Sequence, residues 1–167
     1  MRDGGAGSSF AYKSIWIATG FLVSSAMPDI YHQFMVKASA QDVFDAFCLP
    51  EHLTNWWPLR STGNPAKGAR YNFFFGDDYD WYATVKNVEQ GRSLTWNMQD
   101  VTDDWKDTEV GFKLTETNSG TKVDFFHNHW KSVNDHYCIS NFCWGQLLQG
   151  MKDYIENGKI IPFEKRS

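Results

Sequence analysis

The chain alternates between two hydrophobic periods, and each change of period marks an element. Ile30 to Val36 (Ile-Tyr-His-Gln-Phe-Met-Val) is rich in strand formers and predicts a first strand. Ser39 then caps a helix, with Asp42 three residues on as a partial capping box. Ala40, Val43, Phe44 and Phe47 fall at i, i+3, i+4 and i+7 and share one face. A second short helix is expected from about Pro50 to Asn55, with proline in the first turn, where a missing N–H does no harm. It ends at Trp56-Trp57, because Pro58 disfavours helix in the residue before it.

After a loop at Gly63 to Gly68 the period becomes two. Arg70 to Phe75 and Asp80 to Val88 read as strands joined at Gly76-Asp77-Asp78, and Ser93 to Gln99 follows the turn Gln90-Gly91-Arg92. Thr108 to Thr117 and Thr121 to His129 form a hairpin about Asn118-Ser119-Gly120. Consecutive strands with short turns make an antiparallel meander. A long helix closes the chain, from about Asn134 to Asn157, with Ser132 as candidate cap and Gly158 as stop. At about 1.5 Å per residue it spans roughly 35 Å, enough to cross a sheet. Its stripe is Trp144, Leu147, Leu148, Met151, Tyr154 and Ile155. Its first half is apolar on several sides (Tyr137, Ile139, Phe142), so that half is expected to face a cavity wall, a loop or a second subunit as well as the sheet.

The order strand, two short helices, about five strands, long helix is α+β. An antiparallel sheet of that size curls, and its concave face needs a cover. The terminal helix supplies it and leaves a space at one end, gated by the short helices and loops.

Composition changes this picture in three ways. With 167 residues the chain suits one domain, and aromatics at 17% are enough both to fill a core and to line an apolar cavity. The net charge of -4, with no basic stripe, argues against nucleic acid; Lys165-Arg166 reads as a solvated basic end. Cys48, Cys138 and Cys143 lie in helical patterns without metal-type spacing, which suggests buried free thiols and a reducing, cytoplasmic compartment. The N-terminus offers the alternative of export. Arg2 and Lys13 precede the apolar run Ile15 to Val23 and then Ser24-Ser25-Ala26, which imitates a signal peptide, although the run is too short to span a membrane. An upstream extension with its boundary at Met27 explains the same residues.

Candidate chemistry is sparse. Alternation from Thr121 puts Val123, Phe125, His127 and His129 on one face, so both histidines are expected to point inward. An imidazole there serves as a satisfied core group, as a donor to a ligand, or as an acid or base with Tyr82 or Tyr137 as helper. A metal pair of His127 and His129 lacks a third ligand set by spacing, Glu109 and His136 being the nearest options, so neither metal nor cofactor is expected. Trp57, Trp81, Trp96, Met98, Phe112, Tyr137 and Trp144 join His127 as candidate ligand-binding residues, with plain core as the competing role. Asn97 and Asp100 read as exposed alternation, and Asp77, Asp78 and Asp80 as a solvated turn.

Val36 to Phe47, Pro50-Glu51-His52-Leu53 with Trp56-Trp57, Leu94-Thr95-Trp96, Gly120-Thr121-Lys122-Val123 leading to His127, and Trp144 to Gly158 occur in the order seen in one superfamily. The chain resembles the START-like helix-grip (SRPBCC) proteins, and among them the homologues of the activator of the heat-shock protein ATPase. The resemblance covers nearly all of residues 28 to 160. It implies a curved antiparallel sheet wrapped on the long C-terminal helix, with two short helices after the first strand, in a START-like domain over residues 27–167 that follows an extension over 1–26. It also implies a deep apolar pocket, which in various members holds lipids, sterols, polyketides or related molecules; some members are cyclases or dehydratases. Pro65 to Tyr71 departs from the family's usual loop, and Phe73-Phe74-Phe75 is unusually aromatic, so the pocket mouth is expected to differ. The leading expectation is binding of an apolar small molecule, with a homodimer as a further option. A cofactor-free cyclase, dehydratase or hydrolase is the alternative. A chaperone regulator is least expected, because co-chaperone members carry a further N-terminal domain where this chain has residues 1–26.

Overall fold

A computed structural model describes residues 28–166; the signal-like segment lies outside them. The elements are β1 (Ile30–Val36), α1 (Ala40–Cys48), α2 (Pro50–Leu53), β2 (Arg60–Thr62), β3 (Arg70–Gly76), β4 (Tyr79–Glu89), β5 (Ser93–Asp100), β6 (Glu109–Thr117), β7 (Gly120–Asn128) and α3 (Asp135–Asn157), followed by a 3-10 turn at Phe163–Lys165. The seven strands form one sheet in the order β1-β7-β6-β5-β4-β3-β2. Every pairing is antiparallel, and β1 closes against β7 with Ile30 opposite His127. Register shifts between Phe74 and Gly76, and twice along β4–β5, tighten the twist locally. The sheet curls into a half-barrel around α3, which is the helix-grip arrangement.

Local chemistry explains the helix ends. The Ser39 Oγ accepts from the Asp42 N–H and donates to the Asp42 carboxylate, which caps α1. Ala40, Val43, Phe44 and Phe47 are all buried. Gly158 ends α3 at φ 66°, in the left-handed region that glycine enters freely.

Four expectations need correction. Ser132 does not cap α3; Asn134 does, its side chain accepting from the Tyr137 N–H. His129 does not continue β7 inward: it lies past the strand end at φ 69°, exposed, with its N–H on the Asp29 carboxylate and its ring 3.7 Å from Glu109. That turn breaks the alternation. The chain also makes a short strand, β2, beyond the six expected. Of the cysteines only Cys48 is buried; Cys138 is exposed and Cys143 half-buried. Burial pushes the Cys48 thiol up, so it behaves as an apolar filler.

Candidate functional site

Inward positions of the sheet carry the core, and at the end where β3, β4, the loop after β5 and α3 meet the packing opens. A cavity of about 420 Å³ lies there. Five aromatic side chains border it in a closed circuit of ring contacts. Trp57 lies 5.9 Å from Phe75 and Phe75 lies 5.1 Å from Trp81. Trp81 lies 4.8 Å from Trp105, Trp105 lies 5.8 Å from Trp144, and Trp144 lies 5.0 Å from Trp57. Each comes from a different place. Trp57 follows α2, Phe75 and Trp81 are inward positions of β3 and β4, Trp105 belongs to the loop 101–108, and Trp144 sits midway along α3. Alternation places Phe73 and Phe75 inward and sends Phe74 outward beneath Arg60.

His127 lies under this belt, fully buried. Trp144 Nε1–H donates to its Nδ1 at 3.1 Å. Nε2 therefore carries the proton and donates to Thr108 Oγ1 at 2.9 Å. Thr108 in turn donates to the Trp105 carbonyl at 2.6 Å. The chain Trp144–His127–Thr108–Trp105 thus fixes two walls of the cavity. Burial, and secondly the nearby His136, lower the His127 pKa to about 3, so the ring is neutral. Both ring nitrogens are committed within the protein, so the histidine supports the belt.

The remaining candidates divide. Trp57, Trp81 and Trp144 border the cavity. Trp96, Met98 and Phe112 do not; they are sealed in the core. Phe112 stacks on Phe47 of α1 at 4.2 Å, and Trp96 is boxed by Tyr71 and Phe73. Tyr137 is held away, its hydroxyl donating to the Asp29 carbonyl and its ring against Trp130. Tyr82 is on the outer face of the sheet beneath Arg70, with its hydroxyl on Asp80. Neither tyrosine reaches His127 to assist it.

Several cavity residues were not among the ligand-binding candidates of the sequence. Trp105 sits among charges in Asp103-Asp104-Trp105-Lys106-Asp107, and a lone large apolar side chain in such a loop was the available signal. His136, Ser140 and Cys143 line the α3 side. Arg166, read as a solvated end, is half-buried at the rim: it donates to the carbonyls of Ile161 at 2.8 Å and Pro58 at 3.2 Å. Removal from water lowers its pKa. A second, larger hollow of about 590 Å³ lies at the opposite end, but Glu89, Arg92, Lys113 and Glu116 line it and it has no aromatic wall.

A family model matches most of this chain. Residues 37–156 match that of the activator of Hsp90 ATPase homolog 1-like protein. The chain belongs to this family. No curated protein matches it in sequence. Among solved structures, the Aha1 dimer from Colwellia psychrerythraea is 25% identical, with TM-score 0.73, over 80% of this chain and 99% of that one. The protein SSP2350 from Staphylococcus saprophyticus is 19% identical with TM-score 0.68, over 81% and 96%. CalU16 from Micromonospora echinospora is 18% identical with TM-score 0.59, over 78% and 76%. Membership places the chain among the START-like helix-grip (SRPBCC) proteins. No helix among the described residues is long and apolar enough to cross a membrane.

Proposed function

We propose that this AHSA1-family protein binds an apolar, ring-containing small molecule between Trp57, Phe75, Trp81, Trp105 and Trp144. The closed aromatic circuit around the cavity carries this reading. Aromatic walls give large contact area at little conformational cost and favour flat or ring-bearing ligands over flexible chains. The cavity, about 420 Å³, falls within the ordinary range for small-molecule pockets. Native mass spectrometry of the purified full chain, followed by extraction and identification of any retained compound, tests it. A retained or added aromatic compound that binds one per cavity supports the reading. Failure of any apolar aromatic compound to bind, with Trp81 variants behaving like the parent, overturns it.

A second copy of the chain is the partner we favour. The relative from Colwellia psychrerythraea is described as a dimer. In this chain Ile139 and Phe142 on α3 are 59% and 68% exposed, an unusual display for large apolar side chains next to a cavity. Phe142→Asp is expected to shift the mass measured by light scattering from dimer to monomer. A parent that is monomeric at high concentration removes the proposal.

A further inference from the structure

We propose that the α3 wall of the cavity recognises two oxygens of a neutral aromatic ligand: a hydroxyl that donates to His136 and a carbonyl that accepts from Ser140. This rests on the cavity being the binding site and specifies what it selects.

His136 and Ser140 are four residues apart on α3, so they share a face about 6 Å apart at Cβ, and both line the cavity. His136 Nδ1 lies 3.0 Å from Asp104 Oδ2, and the other carboxylate oxygen accepts from Asn134 Nδ2 at 3.1 Å. Those two hydrogen bonds, that from His136 first, hold the Asp104 carboxyl below its usual range. An ionised carboxylate only accepts, so Nδ1 carries the proton. In the neutral ring Nε2 is then an acceptor, and no described residue donates to it. The Trp130 ring, edge-on at 5.8 Å, packs against the imidazole.

Ser140 is 5% exposed. Its Oγ accepts from Trp105 Nε1 at 3.3 Å, and its hydroxyl proton has no acceptor among the described residues. A buried donor left unmatched is costly, and a ligand oxygen in the cavity would match it. One acceptor and one donor therefore lie a single helical turn apart behind a flat aromatic enclosure. The complement is a ring system with a phenolic or enolic hydroxyl and a carbonyl. Charge does not select a carboxylate: Glu164 lines the same cavity and offsets Arg166, whose Nε and one terminal nitrogen donate to the Ile161 and Pro58 carbonyls.

Quenching of tryptophan fluorescence in the full chain, titrated with naphthalene, 2-naphthol and 2-acetonaphthone, tests this. Each added oxygen makes the probe more content in water, so without a partner in the cavity it weakens binding. We expect 2-naphthol and 2-acetonaphthone each to bind about fivefold tighter than naphthalene. In His136→Leu the 2-naphthol preference is expected to fall to one or below while that for 2-acetonaphthone survives. Ser140→Ala is expected to do the reverse. Naphthalene binding with no gain from either oxygen in the parent overturns the recognition proposal and leaves the cavity reading intact. Preferences that survive both substitutions overturn it equally. Absence of naphthalene binding overturns the cavity reading and this one with it.

Discussion

The indole N–H of Trp144 donates to Nδ1 of His127 at 3.1 Å, beneath the ring of Trp105. That contact joins α3 to β7 and gives the histidine its tautomer. It also means that protonating Nδ1 requires breaking the bond to Trp144 and charging a ring with no access to water.

Stability is therefore expected to depend on pH through His127. The unfolded chain takes up the proton near the ordinary value of about 6.5, and the folded chain only near about 3. Between those values the unfolded state binds the extra proton, so stability falls as pH drops, and the full contribution is present above about 6.5. In the window the slope is about 1.4 kcal/mol per pH unit. Urea unfolding at pH 6 and pH 4.5 should show the parent losing more stability than His127→Gln by roughly that slope. Equal losses would mean that the ring is not held neutral.

Gly111 pairs with Phe126 across β6 and β7, and the phenyl ring lies over it. A Cβ at this position would come within 2.5 Å of Phe126 Cζ and 2.6 Å of the Leu94 carbonyl oxygen. The ring can rotate away, but the backbone of β5 cannot. Gly111→Ala is expected to cost about 3 kcal/mol, the upper part of the usual overpacking range. Adding Phe126→Ala should recover only part of it, because the Leu94 contact remains. Full recovery in denaturant melts would show that the ring alone set the limit.

The fold was legible because its signals were periodic. Strand alternation placed β3 to β7 within a residue or two, and the i, i+3, i+4 pattern found both α1 and α3. β2 was missed because three residues, Arg60–Thr62, leave no room for a period and pair only with β3 at the sheet edge. The cavity was less legible. Trp57, Trp81 and Trp144 carry a periodic or terminal signal, whereas Trp105 reaches the site only by the folding-back of an irregular loop. Trp96 and Phe112 have the same inward phase as the cavity residues. What separates them is tertiary packing that alternation does not carry: Phe44 and Phe47 of α1 cover Phe112, and Tyr71 and Phe73 of β3 cover Trp96.

Leu148, 2% exposed on the inner stripe of α3, tests the grip of the helix. Leu148→Ala is expected to cost about 2–5 kcal/mol through lost burial and the hole left behind. Leu148→Asp should cost more, because a carboxylate there must be buried unpaired or protonated. Thermal melting of the aspartate variant at the parent's temperature would refute a packed α3.

The adjacent tryptophans have different work, and a pair of measurements on each should separate them. Trp56 faces back into the domain: its Nε1–H donates to the Ala46 carbonyl at 2.8 Å and its ring meets Phe47 edge-on. It takes no part in the cavity wall. Trp57 contacts Phe73 at 4.6 Å on the core side and Trp144 at 5.0 Å on the cavity side. Trp81 is only partly buried and contributes mainly to the wall. Trp56→Ala is thus expected to cost about 3–5 kcal/mol of stability, with little change in naphthalene affinity among the molecules that remain folded. Trp81→Ala should cost about 1–2 kcal/mol of stability. It should also weaken naphthalene at least about tenfold, since it opens the aromatic circuit between Phe75 and Trp105. Trp57→Ala should do both. The informative quantity is the ratio of lost affinity to lost stability, which should rise from Trp56 through Trp57 to Trp81. If the three ratios coincide, the circuit is only part of the core, and the cavity beside it is not a ligand site.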